Sequence, residues 1–255
     1  MRSKKEKDKM KKLFKLNVTK NTGQALVLGG VMILLSILML FFDGSSLLDT
    51  CMSVLLRDIL MIFVLGFCYV TYACEKRGAE AWEKLGITKN KIIPSLILNF
   101  VLGLMLLFSF VKDGVPEHLL YVENFYAAVY IMVAGIFEML FIYGFLRMEF
   151  EEAFGIIPAI ILTAVFYSFH HAGFQPEFFK LFFVGIMYVA VFYITHNIFV
   201  IFPFFWGVGA LWDVLVNSVA GEGIKNFFSF MIAIIVLCCM IVWSLLLKRR
   251  RGNAI

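Results

Sequence analysis

Few side chains in this 255-residue chain can do acid–base chemistry from within apolar sequence, and they fall in four places. Glu138 stands in GIFEMLFIYGFL, with apolar residues for a turn or more on either side. His170 and His171 close the stretch FYSFHHAGF, His196 follows Thr195, and Asp213 and Asn217 lie one helical turn apart. An ionisable group near the bilayer centre costs roughly 2.5 kcal/mol or more, so each needs a partner or a chemical use. A buried carboxylate is suited to draw a proton from water, and an imidazole beside it to orient that water or to stabilise an oxyanion. Neighbouring helical residues point about 100° apart, so only one histidine of the pair is expected to share a face with Glu138. Each residue also has a purely structural reading. Glu138 can be held protonated by burial or paired with Arg57, His170 can anchor a helix end, and His196 can be a solvated turn residue. Asp213 and Asn217 can simply anchor a helix near its outer boundary.

Glu138 and His170 make two ligands, short of a zinc site. The sequence has no His-Glu-x-x-His helix, no Cys-x-x-Cys pair, no glycine-rich phosphate loop and no nucleophile elbow, so no metal is assigned and the cofactor is unknown.

The elements that must position these groups are membrane helices. The chain is 62% hydrophobic and 16% charged, where soluble domains average about a quarter charged. Apolar stretches at 25–42, 59–74, 92–111, 124–146, 154–169, 181–195, 198–217 and 226–247 approach the ~20 residues a helix needs to cross a bilayer. An all-α polytopic membrane protein of about eight transmembrane helices is therefore expected. Residues 1–23 form a basic cytoplasmic tail, 24–247 the transmembrane domain, and 248–255 a second basic cytoplasmic tail. With both termini on the cytoplasmic side of the cytoplasmic membrane, 19 of the 23 Lys and Arg fall on that side, the exceptions being Arg57, Lys112, Lys180 and Lys225. The basic residues cluster beside apolar stretches, which makes the lipid bilayer the partner and excludes nucleic acid. No cleavage site follows 25–42, so a retained helix is expected there. The five cysteines read as small apolar packing residues, with only Cys51 able to face an oxidising side. Segment 75–90 places Ala79, Trp82 and Leu85 at the spacing of a short interfacial helix.

Across 136–217 the order of residues resembles the CPBP family of CAAX proteases and bacteriocin-processing enzymes, also called the Abi family of intramembrane proteases. The family's Glu-Glu-x-x-x-Arg-Gly motif is met by Glu138-Met139-Leu140-Phe141-Ile142-Tyr143-Gly144, which keeps the first acid and the glycine and replaces the second Glu by Met139 and the Arg by Tyr143. Its Phe-x-x-x-His motif is matched by Phe166-Tyr167-Ser168-Phe169-His170. A Thr-Gly-Asn turn resembles Thr195-His196-Asn197, but the His-x-x-x-Asn motif expected about ten residues later holds Phe205 and Gly209. Asp213 and Asn217, eight residues late, are the nearest substitutes and would need a local break such as Pro203.

The resemblance implies an intramembrane endopeptidase that hydrolyses a peptide bond in a hydrophobic or lipidated peptide. Glu138 would be the base and His170 its helper, with His171, Tyr143, His196, Asp213 and Asn217 as supporting groups. The substitutions also fit a catalytically silent member that binds a peptide or confers bacteriocin self-immunity. A small transporter is a third class, resting on the midplane acid alone. For a shared site, Glu138 and His170 must face each other across an axial offset on the order of 9 Å, unless tilt or a helix start near Pro158 reduces it.

Overall fold

The computed structural model describes residues 12–42, 46–88, 92–112, 120–172, 177–199 and 225–252, and among these no strand occurs. The chain forms α1 (Lys20–Met39), α2 (Leu47–Arg77), a short α3 (Ala79–Leu85), α4 (Ile92–Val111), α5 (Val122–Phe154), α6 (Ile156–Ala172), α7 (Phe178–Thr195) and α8 (Phe227–Gly252). Helices α1, α2, α5, α7 and α8 are long and apolar enough to cross a membrane, and α6 and part of α4 are shorter apolar helices. Seven of the eight expected segments are thus helical, while 198–217 lies almost entirely outside the described residues. The molecule turns apolar side chains outward, Val27, Leu34, Phe100, Phe108, Phe183 and Val242 among them, as a bilayer solvent permits.

Sequence chemistry sets the helix starts. Thr19 and Thr22 form a reciprocal capping box before α1, and Ser46 and Asp49 do the same before α2. The i→i+4 ladder widens to i→i+5 in two places, Val54–Tyr69 within α2 and Glu138–Leu146 within α5. Such π-wound stretches are rare and frequent at functional sites.

α5 is the axis of the bundle. Every residue from 137 to 150 is buried, and α1, α2, α3, α6 and α8 all pack against it. It continues eight residues past the expected end at 146, because the polar run Arg147–Phe154 finds partners inside the protein. Arg147 is almost fully buried: its Nε donates to the Tyr143 carbonyl, its Nη1 to Glu151 at 2.7 Å, and its guanidinium lies 3.8 Å above the Phe192 ring. Glu149 pairs with Arg77. On α3, Lys84 bridges Glu152 at 2.8 Å and Glu80 at 2.9 Å, which holds its ammonium pKa above the ordinary lysine value and the Glu80 carboxyl below its own. The buried face of α3 is Ala81 and Leu85 with Trp82 half-buried, whereas Ala79 is exposed.

Gly155 ends α5 at φ +90°, a backbone that L side chains rarely adopt, and a Cβ there would fall 2.7 Å from the Leu13 carbonyl oxygen. The chain therefore reverses at once into α6, and the N-terminal segment closes the end of α5 through Lys15 N–H to Phe154 O and Asn17 N–H to Ala153 O. The five cysteines are free.

Both described chain ends lie at one end of the bundle. The N-terminal segment meets Ala153 and Phe154, and Trp243 near the end of α8 donates to Thr71 near the end of α2. Reporter tags fused to the two termini should therefore report the same compartment, the cytosol by the distribution of basic residues. Tags reporting from opposite sides would refute this arrangement.

Candidate active site

The α5–α6 hairpin brings three titratable side chains together. Glu138 is buried, and its Oε1 lies 2.7 Å from His171 Nε2 and 3.6 Å from His170 Nε2. The expected axial offset vanishes because α5 runs on to Phe154. Glu138 is sixteen residues before that end, and His170 is fourteen after the start of α6 at Ile156. At about 1.5 Å per residue the two lie within about 3 Å of the same depth.

Both histidines reach Glu138, where one was expected. The carboxylate occupies the wedge between two side chains about 100° apart, and its length lets a single oxygen meet both rings. The rings differ in setting. His170 is largely enclosed, edge-on to Phe137 at 5.0 Å between centroids, with Nδ1 3.3 Å from the Ser36 hydroxyl of α1. His171 is about one-third exposed and packs edge-on to Tyr167 at 4.6 Å. Among the described residues, the buried Glu138 Oε2 has no hydrogen-bond partner.

The donors of Glu138, His170 and His171 all lie within 4.8 Å of one another. Two imidazoles and a carboxylate are the number and kind of donors that hold a zinc-class ion with a fourth position open. Glu138 and His170 alone offer two such donors, and the fold brings His171 beside them as a third.

Arg57 does not pair with Glu138. It bonds its neighbour Asp58 at 3.0 Å and lies 4.9 Å from the centroid of the Tyr130 ring, while the Tyr130 hydroxyl donates to Asp58 at 2.7 Å. These groups form a separate buried cluster between α2 and α5, two turns along α5 from Glu138. Tyr143, which stands where the family motif has Arg, is buried beside Tyr167 and Tyr188, at ring separations of 5.4 and 5.8 Å. Through Tyr167 it borders His171.

His196 stands apart from these groups. It caps α7 in the left-handed region at φ 51°, its N–H bonds Phe192 O, and its ring packs on Phe192. It borders a cavity of about 710 Å³ with Lys84, Arg147 and Glu151, and Arg147 is nine residues beyond Glu138, about 13 Å along α5. Asn197 ties this turn to the loop after α3 by donating to Thr88 O and accepting from Phe199 N–H. The glycine of the resembling turn motif is explained by that backbone: the position needs positive φ, which histidine tolerates better than most side chains. Asp213, Asn217, Phe205 and Gly209 lie outside the described residues.

The sequence alone does not mark Ser36, or Gly29, whose missing side chain lets α1 approach the Phe166 ring of α6, as contributors to the site. Their one available signal was the small-residue face of the first span, which carries no chemistry by itself.

The family model described as Rce1-like, type II CAAX prenyl endopeptidase Rce1-like, matches residues 122–211. No curated protein and no solved structure matches the chain.

His196→Gly relieves the left-handed strain without touching the carboxylate site. The variant should match or exceed wild-type thermal stability and hold any peptide cleavage within about twofold, since a left-handed non-glycine residue carries a cost on the order of 1 kcal/mol. A tenfold loss of cleavage at unchanged stability would return His196 to the site.

Proposed function

Because residues 122–211 match the type II CAAX prenyl endopeptidase family, we propose that the chain is an intramembrane endopeptidase for a hydrophobic or lipidated peptide, with Glu138 as its general base. The observation that carries this reading is the Glu138 carboxylate itself: one oxygen sits between two imidazoles, and the other is buried without a hydrogen-bond partner among the described residues.

Each group has a distinct task. Glu138 takes a proton from a water molecule, whose oxygen adds to the scissile carbonyl carbon. The C–N bond then breaks, and the proton held by Glu138 passes to the departing amine. His171 donates to Oε1 and fixes the carboxylate rotamer, the task left open by Met139 and Tyr143. His170 orients that water. A zinc-class ion, when held by Glu138, His170 and His171, would supply a Lewis acid for the same carbonyl.

A catalytically silent, peptide-binding member is the second reading, favoured by Phe205 and Gly209, which offer no imidazole and no side-chain amide where the family motif has His and Asn. Glu138→Gln separates the two, since it preserves volume and hydrogen bonding and removes the base. At matched membrane abundance it should lower cleavage of a CAAX-type lipopeptide by about 10² to 10⁴. Cleavage by wild type that persists in 1,10-phenanthroline supports the general base, and loss restored by added zinc supports the ion. If a protective phenotype in cells survives Glu138→Gln and wild type cleaves nothing, the binding reading replaces the enzyme.

A further inference from the structure

Ser36 lies on α1, outside the residues that the family model matches, yet its hydroxyl is 3.3 Å from His170 Nδ1. Packing two turns away sets this contact. A Cβ on Gly29 would fall 2.4 Å from the Phe166 ring, so the missing side chain fixes how closely α1 approaches α6. Ser36 follows Gly29 by seven residues and His170 follows Phe166 by four, spacings that keep each pair on one helix face.

The hydroxyl has a single proton to give. It lies 3.0 Å from the Met32 carbonyl oxygen, one turn back on α1, and 3.8 Å from the Met61 sulfur, a weak acceptor. The carbonyl takes the proton. Ser36 Oγ then presents a lone pair to the ring, so His170 Nδ1 must carry hydrogen. A neutral imidazole has only one N–H, which leaves His170 Nε2 bare and facing Glu138 Oε1 at 3.6 Å. His171 is the opposite case. Its Nε2 is 2.7 Å from the same oxygen, and an ionised carboxylate only accepts, so that nitrogen carries the hydrogen.

We propose that Ser36 is a positioning residue that holds His170 in the Nδ1–H tautomer and so keeps the Nε2 lone pair turned toward Glu138. The two adjacent rings then do different work: His171 donates to the carboxylate, and His170 accepts from a donor that bridges Nε2 and Oε1 from the side. That use rests on the endopeptidase reading, in which the occupant is the attacking water, gripped at one hydrogen by Glu138 and at the other by His170. The tautomer itself does not depend on that reading.

The chain has four histidines, few enough to resolve individually. In full-length protein labelled with ¹⁵N-histidine in nanodiscs, long-range ¹H–¹⁵N correlation identifies each tautomer, and His170→Gln assigns the signal. Wild type should show His170 as Nδ1–H, Ser36→Ala should mix the tautomers, and Ser36→Thr, which keeps the hydroxyl, should restore the wild-type pattern. In parallel, Ser36→Ala should lower kcat about tenfold with KM unchanged, within the range found when a supporting hydrogen bond is lost, and Ser36→Thr should recover it. An Nε2–H tautomer in wild type, or a spectrum unmoved by Ser36→Ala, would overturn the assignment. Spectra that follow expectation in a protein that cleaves no peptide would uphold Ser36 and reject the endopeptidase reading alone.

Discussion

A carboxylate in the apolar middle of a helix bundle has to be met by hydrogen-bond donors, and the arrangement around Glu138 follows from that requirement. Its donor comes from one neighbouring helix, α6, at His171, with His170 beside it on the same helix. The depth match depends on Gly155, which turns the chain without a linker, and on the extension of α5 to Phe154. The lateral fit depends on Gly29, whose lack of a side chain lets α1 close over α6. Glycines at both positions serve one acid.

The remaining buried charges are kept apart from it. Arg57, Asp58 and Tyr130 satisfy one another in one half of the bundle. At the other end the exposed pair Lys84 with Glu152 joins α3 to α5, Arg147 pairs with Glu151 within α5, and Arg77 with the buried Glu149 ties α2 to α5. Buried pairs of this kind contribute little net stability, yet breaking one by removing a partner is costly, so they fix which faces of α2 and α5 meet. Glu138 is the acid left for the histidines, with one oxygen unpartnered among the described residues.

Much of this was legible in the sequence, for physical reasons that differ by element. Long apolar runs revealed the membrane helices because a bilayer leaves no other place for them, and Glu138 stood out because acids there are expensive. The extension of α5 was not legible. Arg147 and Glu149 read as polar helix-end residues until Glu151, Phe192 and Arg77 are seen to enclose them. Helical angles alone predicted that one of the two histidines would share a face with Glu138, because they take no account of a carboxylate placed between them. His196 looked chemical by residue type, and its backbone explains it instead. Ser36 carried no chemical signal of its own, since the hydrogen bond that gives it meaning spans 134 residues.

The central claim is that Glu138 and His171 form a real, energetically coupled contact in the membrane interior. A double-mutant cycle on unfolding in mild detergent, comparing wild type, Glu138→Ala, His171→Ala and the double variant, measures that coupling directly. The contact predicts a coupling of about 1 to 3 kcal/mol, with the double variant less destabilised than the two single changes together imply. Additive single changes, within about 0.5 kcal/mol, would contradict the contact on which the site depends.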